Sequence, residues 1–479
     1  MTRFHWRDGG DASTVAPMKR LSLVAAAAAL SLASPALAES PFWPVQPKNG
    51  PVAAELRGAW KSRGYGWIVQ FGPDGAQLFQ TAGGACYPDA RREPDPDGVL
   101  SLWRAEGAGV ISLTGDPLGT RYQFDRLPNL PTDCISAAAW TPDRIVAFAA
   151  DTFAELYPRS AERKLDWPAR KAKALAQVTP TSTDDQLWLA LAGLLSGLDD
   201  PHVELHGMVQ GARRDLEPGE SPTLLRVRSA DPAGEERSWL QAYREGILTG
   251  LLQGKGRQAA NNRIFWGRVD DVGYLNVLTM GAFARNAAPD DPRPLDAVLD
   301  EALSAFVGAK AVVVDVSNNR GGYDTISRRI AARFTAQPRV AYAKVPVGAK
   351  TPPQTIKVEP SGAVGFTGPV YVVTSDITVS AGETFTLMMK ALPNVTQVGG
   401  TTRGAFSDQL PKPLPNGWSL ALPAELYRSA DGQELEGRGL APDVPLDVFP
   451  DGDVSGGHAK AIEGLIAKIR EGAVGTAAR

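Results

Sequence analysis

The feature that most constrains the fold is a pair of short, almost uninterrupted apolar runs in the second half of the chain. Residues 310–316 read KAVVVDV and residues 370–374 read VYVVT. Such runs are typical of strands covered on both faces, which occur mainly in parallel sheets. Each run is followed by a stretch with helical periodicity, 327–334 after the first and 380–392 after the second. This alternation predicts an α/β domain over residues 266–479.

The chain before residue 266 has a different character and predicts three further regions. Residues 39–145 contain short aromatic and β-branched runs between Gly, Pro and Asp turns, which predict a small all-β domain. Residues 146–215 change to a helical period and predict a helical hairpin. Residues 216–265 are polar and mixed, with one helical stretch near 238–243, and are interpreted as a connecting segment.

The first 38 residues have the pattern of a secretory signal peptide. Lys19 and Arg20 precede an apolar run with five consecutive alanines, and Ala36 and Ala38 form an Ala-x-Ala cleavage site. Met18 is an alternative start, because the polar stretch before it does not fit the pattern. The apolar run is too short for a transmembrane anchor. We therefore expect cleavage near Ala38, a periplasmic or secreted protein, and no stable membrane insertion.

The two cysteines, Cys86 and Cys134, both lie in the β-rich region. An even pair in an oxidising compartment predicts one disulfide, and the alternative is two buried thiols. A thiol nucleophile is disfavoured, since no histidine lies near either cysteine in the sequence.

Ser380 stands where the second apolar run gives way to a helix. Together with Glu383 it fits the capping-box pattern, so it can be interpreted as a helix cap. The same place also suits a nucleophile, because the unpaired N–H groups and the positive dipole of a helix N-terminus favour an oxyanion beside it. A serine hydrolase would also need a base, a group that orients the base, and oxyanion donors.

Three histidines follow the signal peptide. His202 and His206 lie in the segment 198–206, where Glu204 would share one face of a strand with both. This spacing permits a catalytic base or, alternatively, a metal site formed by the three side chains. His458 lies in a polar, Gly-rich stretch, and we expect it to face solvent.

Gly321 and Gly322 end the stretch NNRGG (318–322), which directly follows the first apolar run. Two glycines allow the backbone to approach a ligand closely and to adopt positive φ. The alternative is a simple turn from strand to helix. A dinucleotide-binding fingerprint is absent there, because the G-x-G-x-x-G spacing is not present.

Four segments in this order resemble the C-terminal processing protease superfamily of serine peptidases, which includes tail-specific proteases, the tricorn protease core and the interphotoreceptor retinoid-binding modules. The segments are DDPH (199–202), DVSNNRGG (315–322), TVSAGE (378–383) and EGRGLAPD (436–443). The resemblance covers residues 146–450. It implies a ClpP/crotonase-like α/β core and a serine peptidase without metal or organic cofactor, acting on peptides or unfolded proteins. The net charge of −3 gives no reason to expect nucleic acid as a partner.

The resemblance implies that Ser380 is the nucleophile. It implies oxyanion donors from the backbone N–H of Ala381 and from the Gly321–Gly322 turn. Since the retinoid-binding relatives are not peptidases, a catalytically inactive ligand- or peptide-binding module is the alternative from another functional class.

The base depends on the branch of the superfamily. Tail-specific proteases place a lysine base downstream of the serine, where this chain has Ala405, and neither Lys390 nor Lys412 fits the pattern. We therefore expect no Ser–Lys dyad. Residues 207–265 also show no recognisable PDZ pattern, so the sequence gives no basis for predicting recognition of free C-termini.

The tricorn-like branch takes its base from a histidine in an Asp-x-x-His type of segment and uses a glutamate before the Gly-x-Gly-x-x-Pro-Asp motif. His202 and Glu436 occupy those places, with Glu434 as a second candidate for the glutamate. A neutral imidazole can accept the serine proton near pH 7. The sequence thus predicts His202 as the base and Glu436 as its support, the alternative for Glu436 being a surface carboxylate.

Overall fold

The computed structural model describes residues 41–48, 50–93, 98–136, 139–230 and 236–474, and strands and helices are numbered here in chain order. The predicted signal peptide, residues 1–38, lies outside the described residues. None of the helices within these ranges combines the length and the apolarity that a membrane span needs.

The N-terminal region is an eight-stranded antiparallel sheet, as the Gly-punctuated aromatic runs predict. Its strands are β1 (Trp43–Pro44), β2 (Gly58–Ser62), β3 (Trp67–Phe71), β4 (Ala76–Ala82), β5 (Ala85–Glu93), β6 (Leu102–Gly107), β7 (Val110–Thr114) and β8 (Tyr122–Leu127). They pair in the order β1-β6-β7-β8-β2-β3-β4-β5. One face of this sheet contributes to a large apolar core that it shares with the helices that follow.

The predicted disulfide between Cys86 and Cys134 is confirmed, and both residues are buried. It joins β5 to a short 3₁₀ turn, Thr132–Cys134, and packs with Ile68 and Phe79. Because the two cysteines are 48 positions apart in the chain, the chain-entropy account assigns the bond about 4 kcal/mol of stabilisation.

Three helices pack on the N-terminal sheet. The predicted helices of the second region are α1 (Pro142–Leu156) and α3 (Asp184–Leu195), and the structure adds the shorter α2 (Trp167–Leu175) between them. Thr183 and Gln186 form a capping box that starts α3, and Asp166 accepts a hydrogen bond from the first turn of α2. α3 ends at Leu195, and the segment that contains His202 follows it directly.

The α/β region is built on a seven-stranded sheet with the order β11-β12-β13-β14-β17-β18-β22. Its strands are β11 (Arg257–Ala259), β12 (Ile264–Val269), β13 (Val272–Val277), β14 (Ala311–Asp315), β17 (Val370–Thr374), β18 (Val395–Gly399) and β22 (Val444–Pro445). Strands β13 to β22 are parallel, whereas β11, β12 and β13 pair antiparallel.

The two predicted apolar runs are β14 and β17, and each is covered on both faces. Val312 and Val314 pack into one core with three helices, α6 (Arg293–Ala305), α7 (Asp324–Ala331) and α8 (Ala381–Lys390). Val313 packs into a second core with α4 (Pro222–Ala230), α5 (Arg237–Glu245) and α9 (Gly457–Arg470). Successive side chains of a strand point to opposite faces, so a run without polar gaps is what this double cover requires.

Two small antiparallel sheets complete the described fold. The first has the order β10-β9-β20-β19 and consists of β9 (Glu204–Val209), β10 (Ala212–Leu216), β19 (Gln409–Pro413) and β20 (Ser419–Pro423). The second has the order β16-β15-β21 and consists of β15 (Arg339–Pro346), β16 (Gln354–Val358) and β21 (Glu425–Ser429). The first sheet brings the segment after α3 beside residues that follow β18, although the paired residues are 213 to 217 positions apart in the chain.

Candidate active site

Ser380 has a backbone conformation that residues other than glycine rarely adopt. It directly precedes α8 and has φ 57° and ψ −124°. Strained conformations of this kind cost about 1–3 kcal/mol and persist where the surroundings fix them, often at functional sites. The side chain makes no capping hydrogen bond to α8, so the structure contradicts the interpretation of this serine as a side-chain cap. The hydroxyl is therefore not used by the helix.

The loop that carries Ser380 is tied to the end of β14. The hydroxyl of Thr378 donates to the carbonyl oxygen of Val316 at 2.8 Å, and that of Ser375 donates to the carbonyl oxygen of Ser317 at 2.6 Å. Both hydroxyls are buried, where unpaired polar groups are costly. The carboxyl ends of β14 and β17 thus hold the serine and the glycine turn against each other, at the edge where open α/β sheets bind ligands.

Glu383, the other half of the predicted capping box, is fully buried in the first turn of α8. Its two carboxylate oxygens accept the N–H groups of Gly404 and Ala405, each at 2.7 Å. Burial raises the pKa of Glu383 to about 7, although these hydrogen bonds oppose the rise. Glu383 therefore fixes the chain that follows β18 to the helix that begins after Ser380.

The Gly321–Gly322 turn lies directly against Ser380. A Cβ atom on Gly321 would lie 2.7 Å from the Cβ of Ser380, and φ values of +85° and +139° require glycine at both positions. The N–H of Gly321 donates to the side chain of Asn319 at 2.9 Å. Within the described residues, the N–H groups of Gly322 and Ala381 donate no hydrogen bond. Two backbone donors beside the serine are therefore free.

His202 lies in the turn between α3 and β9 and is 7% exposed. The carboxylate of Asp200 holds this turn, since it accepts the backbone N–H of His202 at 3.0 Å and the hydroxyl of Tyr157 at 2.8 Å. Burial lowers the pKa of His202, while the charges of Asp200 and Asp408 and a hydrogen bond with the backbone of Ser407 oppose the shift. The imidazole is thus favoured in its neutral form.

Glu436 is buried at the start of the fourth motif and is 5% exposed. Its Oε2 accepts the N–H groups of Phe406 and Ser407 at 3.0 and 3.1 Å. Burial, followed by the nearby charges of Asp200 and Glu383, raises the pKa of Glu436 well above its usual value. Glu434, in contrast, is on the surface and pairs with Arg428 at 2.6 Å.

One short segment, residues 404–408, contacts all three predicted catalytic residues. The carbonyl oxygen of Ala405 accepts the backbone N–H of Ser380 at 3.0 Å. As described above, Glu436 receives the next two N–H groups, and the backbone of Ser407 lies close enough to His202 to raise the pKa of its imidazole against the effect of burial. Residues 202, 380 and 436 are therefore brought together in space around this 404–408 segment.

The lysines considered from the sequence lie elsewhere. The ammonium group of Lys390 contacts Asp443 at 2.9 Å, and that of Lys412 donates to the carbonyl oxygens of Tyr65 and Gly66. Ala405 is completely buried and contributes only its backbone to the site. The arrangement contains no lysine in the position that a Ser–Lys dyad would use.

His202, Glu204 and His206 do not form a joint site. The ring of His206 faces Asp215 at 2.5 Å and Glu204 at 3.0 Å near the surface, whereas the ring of His202 is buried beside Ser407. No group of three or more His, Cys, Asp or Glu side chains within the described ranges is placed to hold a metal ion. The alternative of a metal site at these three residues is not supported.

The expectation that His458 faces solvent is wrong. His458 is 1% exposed, and its Nε2 lies 2.8 Å from Asp315 Oδ2 at the end of β14. Its ring also packs against Tyr243 and Phe449. The polar, Gly-rich residues before His458 form the turn that leads into α9. His458 lies in the first turn of this helix, which places its imidazole against the end of β14.

Comparison with known proteins agrees with this geometry. The sequence profile of Peptidase family S41 matches residues 271–446, a range that includes Ser380, both glycines and Glu436. No curated protein matches the chain significantly. Among solved structures, a candidate peptidase from Parabacteroides merdae is 22% identical with a TM-score of 0.55, and the match covers 69% of this chain and 96% of that one.

Mature CPAF is a second structural neighbour, with 13% identity and a TM-score of 0.51, and the match covers 70% of this chain and 98% of that one. At such identities the two neighbours show a common fold, and the match to the family profile adds the sequence relationship. The α/β core carries three of the four motifs in order, the first motif (199–202) precedes it, and family S41 consists of serine peptidases. Residues 271–446 therefore match Peptidase family S41, and this match together with the shared fold supports a relationship to the C-terminal processing protease superfamily of serine peptidases.

Proposed function

We propose that this protein is an exported serine endopeptidase that hydrolyses peptide bonds of peptides or unfolded proteins through an acyl-enzyme on Ser380. The observation that carries the proposal is the strained, uncapped Ser380 at a helix N-terminus, packed against the Gly321–Gly322 turn. His202 and Glu436 support it because they contact the same 404–408 segment that binds the backbone of Ser380.

In the proposed reaction, the hydroxyl of Ser380 attacks the peptide carbonyl while His202 takes its proton. The N–H groups of Ala381 and Gly322 then stabilise the oxyanion, since they are the donors left free at this place. Gly321 contributes its conformation and the absence of a Cβ rather than its N–H, which Asn319 already uses. Protonated His202 finally gives its proton to the leaving amine, and water releases the acyl group.

Glu436 is proposed to support the base. Its Oε1 and the Nδ1 of His202 are both buried and have no hydrogen-bond partner. Buried polar atoms are nearly always satisfied by protein or by water. A carboxyl group in this place can stabilise the imidazolium that forms when His202 takes the serine proton.

Proteolysis of denatured proteins tests the function. Wild-type protein should cut a mixture of denatured proteins at internal bonds, with no metal or organic cofactor added. Cleavage confined to chain ends would contradict the endopeptidase assignment. Absence of any cleavage by correctly folded protein would favour the inactive binding module instead.

Export is proposed from the signal-peptide pattern, and the buried disulfide supports it, because such bonds persist in oxidising compartments. The N-terminal sequence of protein recovered from the producing cell would show whether processing occurs after Ala38.

The pH dependence of kcat/KM should show an acid limb with a midpoint below the ordinary histidine value of 6.5. Only neutral His202 can accept the serine proton, and burial lowers its pKa, so activity should persist as the pH falls and then be lost through that lowered pKa. Rates measured between pH 4.5 and 8 check this. His206→Ala should leave the midpoint unchanged, and a wild-type midpoint above 7 would contradict the assigned base.

A further inference from the structure

A buried lysine and two carboxylates lie behind the 404–408 segment. Lys344, on β15, is 3% exposed, and its ammonium group contacts Asp408 Oδ2 at 2.8 Å and Glu425 Oε2 at 3.4 Å. Tyr427 adds a hydroxyl at 3.0 Å. Glu425 is 1% exposed. Lys344 and Glu425 are interior charges, whereas the side chain of Asp408 is 36% exposed. A buried charge is stable only when its partners are complete, and removing one partner is strongly destabilising.

The N-terminal sheet supplies two of the partners that complete this cluster. The hydroxyl of Thr120, just before β8, donates to Asp408 Oδ2 and accepts from the ammonium group of Lys344 at 2.6 Å. The hydroxyl of Tyr65, between β2 and β3, donates to Glu425 Oε1 at 2.7 Å. The N-terminal sheet therefore reaches the charged cluster with side chains that are far from it in sequence.

The cluster also fixes the chain that contacts the catalytic residues. Asp408 is the last residue of the 404–408 segment, and its charge favours the protonated form of His202. The hydroxyl of Ser407 accepts the N–H groups of Ala424 and Glu425 at 3.0 and 3.1 Å. A displacement of Asp408 would thus be transmitted to the neighbouring Ser407, whose backbone N–H donates to Glu436 and whose backbone lies beside His202.

We propose that the N-terminal sheet is a positioning element of the active site, in which Thr120 acts through Asp408 to hold the 404–408 segment in place for catalysis. The proposal rests on the proposed function. The hydroxyl of Thr120 bonds Asp408 and Lys344 rather than Ser380 or His202, so Thr120 is a positioning residue. Its hydroxyl bridges the two charged groups, so its loss leaves both Lys344 and Asp408 short of one hydrogen bond.

The test compares Thr120→Val, which has nearly the same shape without the hydroxyl, with wild type. We expect the second-order rate of labelling by a fluorophosphonate and kcat on an unfolded protein substrate to fall about tenfold, as misplaced catalytic groups do, with KM nearly unchanged. Thr120→Ser restores the hydroxyl and should recover most of the rate.

Thr114→Val is the matched control. Thr114 is completely buried at the end of β7, and its hydroxyl donates to the carbonyl oxygen of Asp116 at 2.6 Å, within the N-terminal sheet. The same substitution there should lower thermal stability but leave labelling at the wild-type rate. Equal slowing in both variants would overturn the proposal, because it would indicate general destabilisation.

A wild-type labelling rate in folded Thr120→Val would also overturn the proposal while leaving the proposed function intact. If the wild type itself does not label, both the positioning role of Thr120 and the proposed function are contradicted. If Thr120→Val does not fold, Tyr65→Phe replaces it, since this change removes only the hydroxyl that binds Glu425. Labelling at least about threefold slower supports the proposal, and an unchanged rate contradicts it.

Discussion

Replacing Ser380 by alanine should abolish peptide cleavage without unfolding the protein. Removal of the nucleophile from serine peptidases lowers kcat by about 10⁶-fold, so we expect a loss of at least about 10⁴-fold. The hydroxyl makes no capping hydrogen bond to α8, and the fold should therefore tolerate its removal. Cleavage of a denatured protein, measured together with thermal unfolding, checks both parts of the expectation.

Ser380→Gly is the informative companion of that variant. It should be equally inactive but more stable than Ser380→Ala by about 1 kcal/mol, because glycine adopts a φ of 57° with ψ of −124° without strain. Retention of more than about a hundredth of the wild-type activity in both variants would contradict the assigned nucleophile.

Replacing His202 by alanine should have the second largest effect. Without a base, the serine hydroxyl is a weak nucleophile, and we expect both kcat and the rate of fluorophosphonate labelling to fall by about 10³-fold or more. The measurement is the labelling rate at pH 7.5, with circular dichroism to confirm folding. The backbone N–H that binds Asp200 is retained in this variant, so the turn should persist.

His206→Ala is the matched control for this change. His206 lies four residues further along the same segment and contacts Glu204 and Asp215 near the surface. We expect its replacement to leave the labelling rate within about twofold of wild type, as for other surface changes. If His206→Ala lost labelling and His202→Ala retained it, the assignment of the base would be wrong.

The central part of the fold could be predicted from local sequence. β14 and β17 are continuous apolar runs because alternate side chains enter opposite cores, and such a pattern is visible in a few residues. The β-rich start, the helices α1 and α3 and the disulfide follow from equally local signals. β19, in contrast, contains two prolines and a lysine, and its pairing with β20 depends on tertiary contacts rather than on strand propensity.

The candidate site also has parts that local sequence predicts and parts that depend on tertiary contacts. Ser380 and Gly321 could be predicted from local sequence. Ser380 is a serine that follows a buried strand, and Gly321 is a glycine at a turn, where the structure has a positive φ. The contacts that hold them together come from side chains distant in sequence, such as Thr120 on Asp408, 288 positions apart. The burial of His458 could not be predicted from local sequence, because only the packing of α9 against the sheet brings this residue to Asp315.

Mass-spectrometric mapping of the residue modified by a fluorophosphonate shows directly whether Ser380 is the nucleophile. We expect one adduct, on the peptide that contains Ser380, formed by wild type and by His206→Ala and absent from Ser380→Ala and His202→Ala. Labelling of another serine, or equal labelling of Ser380→Ala, would contradict the claim that this strained residue is the nucleophile.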